Sequence, residues 1–451
     1  MKEKKCLIIY KRTTRNYLNK EKTMEASKPR ILVITVPSWN SRVGANSWAA
    51  LLEKYDSENV ASIYIRDEIP DSPICSRYFC ISESKVLKSV LKRKIKTGRE
   101  VEAYSKEEDN TLNEHNERYA KFTKKRRYSM LLARELVWKF GKWKTKELNE
   151  FLDSFKPDII LHSMEGYIHL NRIVEYAIKR TGAKAIGYIW DDNFTYKQSN
   201  RIGYKIHRFF QRKSLKRLAK KTDAFFAISE KTKREADKFF KINATVLTKP
   251  LSSIPNVSYG EIKKPIKMLY TGNLFIGRDR SLLKLVNAIK KLGYENDFEI
   301  DAYTKTHLTD EMRTALECSF CRVHSPIPQK EVLQKQKEAD VLLFLEGVDG
   351  KSARLSFSTK TTDYLSSGRC IFAIGNRDLA PIEYLKDNKA AIVATNDSEL
   401  EASLKEIIEN PKGLIDFAKI SAELGIKNHN REKIEQAFYG VIDEVYKKIK
   451  Q

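Results

Sequence analysis

Short apolar runs of four to eight residues recur along most of the chain. Each is followed by a polar break and then by a stretch with apolar residues every three or four positions. The runs Arg30 to Val36, Ala61 to Ile65, Tyr78 to Ile81, Pro157 to His162, Ala183 to Trp190, Asp223 to Ser229 and Ala244 to Leu247 predict one set of strands. Ile266 to Thr271, Phe298 to Tyr303, Arg322 to Pro328, Val341 to Leu345, Cys370 to Ile374 and Ala391 to Thr395 predict a second. Runs such as Val341 to Leu345 are apolar at every position, which suits strands buried on both faces of a parallel sheet. Helical spacing marks Asn171 to Lys179, Glu230 to Phe240, Thr309 to Leu316 and Gln329 to Glu338, and three closing helices from about Glu399, Leu414 and Arg431. Strand–helix alternation of this kind predicts an α/β fold. The 451 residues exceed one typical core, so two domains are expected. Residues 252–265 are polar and hold Pro255, Gly260 and Pro265, the composition of a linker. The division is therefore an extension over 1–29, a domain over 30–250, a linker over 251–265 and a domain over 266–451. Met24 offers an alternative start.

One region breaks the alternation. Residues 85–147 carry 19 Lys and Arg against 9 Asp and Glu, and open with KVLKSVLKRKIK, which predicts a helix with a basic face. Residues 193–222 form a second basic stretch, with ten basic residues and no acidic one. Trp138, Phe140 and Trp143 are residue types found at membrane interfaces. Alternatively these helices pack on the sheet and show lysine to water. The whole chain has a net charge of +25, which attracts nucleic acid, anionic lipid or anionic substrates. No apolar run approaches the roughly 18–20 residues that span a bilayer, and the Cys6–Tyr10 patch is short for a signal segment. The expectation is a cytoplasmic protein, peripheral at the inner face of the membrane. Cys318 and Cys321 form a lone C-x-x-C with no second pair nearby, which reads as chance spacing rather than zinc.

The richest chemistry lies between Ala339 and Gly375. A buried strand, a polar loop, a helix opened by Ser358 and a second strand make a βαβ unit, whose loop falls where open α/β sheets bind ligands. Ser358 suits an N-cap, and Gly368 stands where the helix should stop. Lys360 and Thr361 lie in the first turn, with Asp363 one turn on. A cation at a helix N-terminus suits a phosphorylated ligand, and Asp363 can accept from sugar hydroxyls. The plainer reading is that Lys360 and Asp363 form a solvated pair.

Lys360-x-x-Asp363-Tyr364-Leu365-x-x-Gly368, followed by an apolar strand, resembles the K-x-x-E-Y-L-x-x-G-x-P-V segment of GT-B glycosyltransferases. It is most similar to glycosyltransferase family 4 of bacterial polysaccharide synthesis. The resemblance implies two Rossmann-like, doubly wound domains facing across a cleft, with a last helix crossing back to the first. It implies that Asp363 binds the nucleotide ribose and that the turn with Ser358, Lys360 and Thr361 faces the diphosphate. The loop after the first strand of the second domain, with Gly272, Asn273, Arg278 and Arg280, then neutralises the leaving group. Pro326 and Ile327 line the nucleobase slot. In the first domain Gly44 lies in a small-residue turn beside the sugar diphosphate, and His162, Glu165, Asp191 and Asp192 reach the acceptor side from strand ends. Three departures stand out: Asp replaces the usual Glu at 363, Glu346 precedes it by seventeen positions, and Asn273 occupies a commonly basic position.

The expected function is transfer of a sugar from a nucleotide-sugar donor to a glycan or lipid-linked acceptor, in polysaccharide or glycolipid synthesis. No cofactor and no metal are expected, since the arginines and Lys360 supply the neutralising charge. Two alternatives stand beside it: a nucleic-acid-binding protein that uses the basic stretches, and a nucleotide-sugar epimerase on the same fold.

Overall fold

The computed structural model describes residues 28–40, 47–103, 128–348 and 353–451. They form two sheets. The first holds β1 (Ile31–Thr35), β2 (Val60–Tyr64), β3 (Arg77–Ile81), β4 (Gly98–Val101), β5 (Ile159–Ser163), β6 (Lys184–Ile189), β7 (Ala224–Ala227) and β8 (Thr245–Val246). The second holds β9 (Ile266–Thr271), β10 (Phe298–Tyr303), β11 (Cys321–His324), β12 (Val341–Leu345), β13 (Cys370–Ile374) and β14 (Ile392–Ala394). Their orders are β4-β3-β2-β1-β5-β6-β7-β8 and β11-β10-β9-β12-β13-β14. Every pairing is parallel except β3 with β4. In each sheet the order reverses beside its first strand, which places a ligand crevice at the carboxyl edge there.

The central strands of each sheet, β1, β5, β12 and β13 among them, are buried on both faces because helices cover both. Along β5, Ile160 packs into one apolar cluster while Ile159 and Leu161 pack into the other, as the two-residue period of a strand requires. The last helix, Arg431–Lys450, crosses to the first sheet. Its Ile434, Phe438, Ile442 and Val445 fill a stripe against that core, and the Phe438 ring lies 5.8 Å from that of Phe226. Between the sheets the linker runs against Gly368, whose φ is +70°. A Cβ there would stand 2.1 Å from the Asn256 carbonyl oxygen, so only glycine admits both the turn and the packing.

The structure corrects the reading of the basic region. Its first helix, Glu83–Ser89, ends before Leu91 and Ile95, and β4 follows as an antiparallel edge strand. Trp138 and Trp143 are core residues, 0% and 6% exposed, and Trp138 stacks on His169 at 4.5 Å between ring centres. Neither can enter a membrane interface. Phe140, 55% exposed, remains on the surface. The two C-x-x-C cysteines face each other across a short antiparallel bridge as free thiols, and burial pushes Cys321 up to about 12.

Candidate active site

Two loops at the carboxyl edge of the second sheet build a cationic corner. Ser358 caps the Thr359–Leu365 helix by accepting from the Lys360 backbone N–H at 3.3 Å. This aims Lys360 back across the β9 loop. Its ammonium donates to the Tyr270 hydroxyl at 2.9 Å and lies 4.2 Å from that ring's centre. Tyr270 passes its own proton to the Asn273 carbonyl at 2.6 Å. Gly272, at φ +132°, makes room: a Cβ there would meet the Lys360 ammonium at 2.4 Å. The glycine expected to admit a ligand thus admits the lysine. Burial, reinforced by the Arg278 charge and opposed by Glu346, holds Lys360 down at about 7.

Arg278 opens the Arg278–Leu292 helix and pairs with Glu346 through contacts of 2.9 to 3.2 Å. Glu346 is 5% exposed, and its carbonyl accepts from Ser281 at 2.6 Å. Arg280 is exposed, and its guanidinium reaches back beside Gly277. Arg278, Arg280, Lys360, Glu346 and Gly272 thus come together, while the Asn273 side chain is exposed and only its carbonyl takes part. Thr361 is fully buried, and its hydroxyl has no hydrogen-bond partner. Asp363 lies on the linker side, where Lys249 holds its carboxylate at 2.8 Å. Pro326 is exposed and Ile327 half-buried in the loop between β11 and the Gln329–Glu338 helix.

The first domain answers with carboxylates. Glu165 follows β5 and Asp191 follows β6. Burial and the neighbouring Asp191 raise Glu165 to about 7. Burial also raises Asp191, against a hydrogen bond donated by Ser356. His162 does not join them. It lies inside β5, 0% exposed, with Nε2 3.1 Å from the Thr222 hydroxyl, and burial pushes it down to about 4. It is a core histidine that no substrate reaches, which corrects its expected catalytic place. Gly44 lies outside the described residues.

A tongue that sequence reasoning missed joins the two rims. After β12 the chain passes from the second domain into the first, where Leu355 is buried in the first core. Arg354, 1% exposed, makes a two-pronged pair with Glu235 and lies 3.5 Å from both Asp192 and Asp378. The Thr232 hydroxyl donates to the Leu355 carbonyl at 3.0 Å. Lys231 reaches the other way, to Asp378 at 2.8 Å and Glu383 at 2.6 Å. One sequence signal pointed here: Lys231 sits in the first turn of its helix, against the dipole, and such a cation needs a partner from elsewhere. Nothing in the sequence distinguished Arg354. Among the described residues no three His, Cys, Asp or Glu side chains converge as metal ligands.

No protein-family model matches the chain, and no curated protein sequence matches it. Solved structures do. Sucrose-phosphate synthase from Thermosynechococcus elongatus superposes with a TM-score of 0.60 at 10% identity, over 92% of this chain and 98% of that one. Trehalose 6-phosphate synthase from Burkholderia multivorans gives 0.57 at 8% identity, over 94% and 98%. HepE from Anabaena, solved with UDP-glucose, gives 0.57 at 9% identity, over 92% and 99%. Likeness over both domains at such low identity is likeness of architecture. The chain has the GT-B fold: two parallel-sheet α/β domains whose carboxyl edges meet at a cleft.

Proposed function

We propose that this protein transfers a sugar from a nucleoside-diphosphate sugar to an acceptor hydroxyl. The observation that carries the reading is the cationic corner. Lys360 and Arg278 are crowded together with Glu346 as their one buried carboxylate, beside the exposed Arg280. A lysine held at about 7 by burial and a neighbouring cation is a site short of negative charge, and a diphosphate supplies it. In the transfer, the glycosidic carbon–oxygen bond to the diphosphate breaks as the acceptor oxygen bonds to the same carbon. The departing diphosphate gains charge that Lys360, Arg278 and Arg280 stabilise, without a metal in this reading. The acceptor hydroxyl loses a proton. Glu165, raised to about 7 at the opposite rim, suits receiving it. Asp363 would hold the ribose, with Lys249 as its partner before the nucleotide arrives. Pro326 and Ile327 would flank the base.

The similar HepE structure was solved with UDP-glucose, which supports the same class of donor. The narrower likeness to family 4, and an acceptor in polysaccharide or glycolipid synthesis, belong to this proposal through the Lys360–Asp363–Gly368 segment. The test is a thermal-shift panel of nucleoside diphosphates and nucleotide sugars. A ligand of the folded state raises the melting temperature as its concentration passes its dissociation constant. At least one diphosphate should stabilise the wild type and fail to stabilise Lys360→Ala. Equal shifts in both proteins, or none in either, would sink the assignment.

A further inference from the structure

The first domain carries a face that sugar transfer does not use. The Tyr128–Phe140 helix packs between the Glu83–Ser89 and Ile202–Ala219 helices, so the outer surfaces of all three adjoin. Each shows large apolar side chains to solvent. Leu87 is 42% exposed, and Leu91, in the turn that follows, is 90% exposed. Leu136 and Phe140 are 56% and 55% exposed at successive turns of the middle helix. On the third helix Ile202 is 79% exposed, and Ile206, Phe209 and Phe210 follow along the same side. Single exposed apolar residues are ordinary, whereas a run of them over three adjoining helices marks an interaction surface.

The exposed charges between them have one sign, since Glu83 of the first helix is half-buried in a pair with Arg134 of the middle one. Lys85, Lys88, Lys92, Arg93 and Lys94 flank Leu87 and Leu91, and all are exposed. Lys139 stands beside Phe140, and the one carboxylate of the middle helix, Glu135, is buried 2.8 Å from His169. Lys205, Lys213 and Lys216 line the third helix, and no acidic residue occurs from 193 to 222.

We propose that this face docks on an anionic lipid bilayer. Apolar side chains enter the acyl boundary while the flanking lysines meet the anionic headgroups, the two contributions that hold an interfacial helix on a membrane. A nucleic acid fits less well. Phosphates engage the lysines, but Leu87, Leu91, Ile202 and Ile206 have nothing to gain from a sugar–phosphate backbone. The inner side of the third helix holds the acceptor-side loops, with Gln211 donating to the Gly166 carbonyl at 2.7 Å and Arg212 donating to the Phe194 carbonyl. Docking therefore brings the loops of Glu165 and Asp191 close to the lipid surface. The inference stands on exposure and charge, independent of the transfer reading.

The test is cosedimentation of the full chain with phosphatidylcholine vesicles, with and without phosphatidylglycerol, at low and high salt. Binding is expected only with phosphatidylglycerol, falling roughly tenfold or more at high salt because the attraction is screened. A variant combining Lys88→Glu, Lys92→Glu, Lys205→Glu and Lys213→Glu should lose the salt-sensitive part. Leu91→Ser with Phe209→Ser and Phe210→Ser should lose the salt-resistant remainder. All seven positions are exposed, so unchanged circular dichroism and unchanged diphosphate-induced thermal shifts should show that fold and cleft are intact. Equal sedimentation with neutral and anionic vesicles, none with either, or anionic binding untouched by both variants would overturn the proposal. So would a synthetic single-stranded RNA that binds through the four lysines while the vesicles stay unbound.

Discussion

The two rims of the cleft are built from opposite charges and held in opposite ways. The second-domain rim gathers Lys360, Arg278 and Arg280 on two adjacent helix starts, and Tyr270 and Glu346 fix the first two from behind. The first-domain rim gathers Glu165 and Asp191 on two adjacent strand ends, where burial raises both. A cation lowered to about 7 faces a carboxylate raised to about 7. Each is poised to change charge when its neighbour does, the pattern that separates the handling of a leaving anion from the handling of a proton. The rims differ also in their support. The cationic one is assembled within a single domain, whereas the acidic one depends on a tongue lent by the other: Ser356 donates to Asp191 and Arg354 neutralises Asp192.

That dependence gives the largest expected effect. Arg354→Met removes one buried cation from among Glu235, Asp192 and Asp378. Breaking a buried pair from one side costs roughly 3–5 kcal/mol, because the buried Asp192 loses its ion-pair partner while Lys231 still holds Asp378 and Lys197 still holds Glu235. Thermal unfolding should show a large drop in melting temperature, with the first domain uncoupled from the second. A melting temperature within a degree or two of wild type would mean that the tongue does not hold the rims together.

The next effect strikes the cationic rim alone. Lys360→Ala should lower turnover by about 2–4 kcal/mol in activation free energy, the usual scale for losing one charged stabiliser of a leaving group. Arg280→Ala should act in the same direction with smaller size, because that side chain is exposed and screened. Both proteins should stay folded. Steady-state rates with a donor identified by thermal shift decide the matter, and near-normal turnover in the double variant would remove the diphosphate assignment.

Much of this architecture was legible in the sequence. β9, β10, β12 and β13 occupy the residues their apolar runs predict, and β12 and β13 are buried at every position, which leaves no polar residue to blur their ends. Ser358 caps its helix as its hydroxyl suggests. β4 was hidden because Gly-Arg-Glu-Val exposes its middle residues at a sheet edge, where Arg77 and Glu100 pair across the strands. Trp138 and Trp143 were misread because a basic neighbourhood says nothing about which side of a helix faces inward. His162 was misplaced for a similar reason: the strand continues through it to Ser163. Arg354 escaped because its partners Glu235 and Asp192 lie 119 and 162 positions away and even Asp378 lies 24 away, spans that no local pattern encodes.

Asp363 sharpens the comparison within the cationic rim, since the proposed function assigns it the donor's ribose. Asp363→Ala should weaken donor binding by about 1–3 kcal/mol, the scale of hydrogen bonds to a charged group. Asp363→Asn should recover part of it. Lys249→Ala should instead tighten or leave unchanged the binding of the nucleotide, because this first-domain lysine competes for the same carboxylate at 2.8 Å. Calorimetric titration separates these outcomes, and unchanged affinity in Asp363→Ala would return the residue to a plain interdomain ion pair.

The smallest effect is the most diagnostic, because it vanishes when the ligand binds. Lys360 stands at about 7 in the empty site against 10.5 for a free lysine. Between those values the unfolded chain holds more protons than the folded one. The empty protein should therefore gain stability as pH rises from about 7 toward 10, and lose that contribution as pH falls back. A bound diphosphate favours the ammonium form and draws the lysine upward, so binding above pH 7 takes up a proton. Affinity should then fall as pH rises, by at most about 1.4 kcal/mol per unit. Melting temperatures across this range should rise with pH for the empty protein and stay flat with a saturating nucleoside diphosphate. Proton uptake should appear as a dependence of the binding enthalpy on the ionisation enthalpy of the buffer. Lys360→Met should flatten both signatures together. If the variant keeps the wild-type pH dependence of binding, the proton belongs to another group, and the phosphate itself is the first to examine.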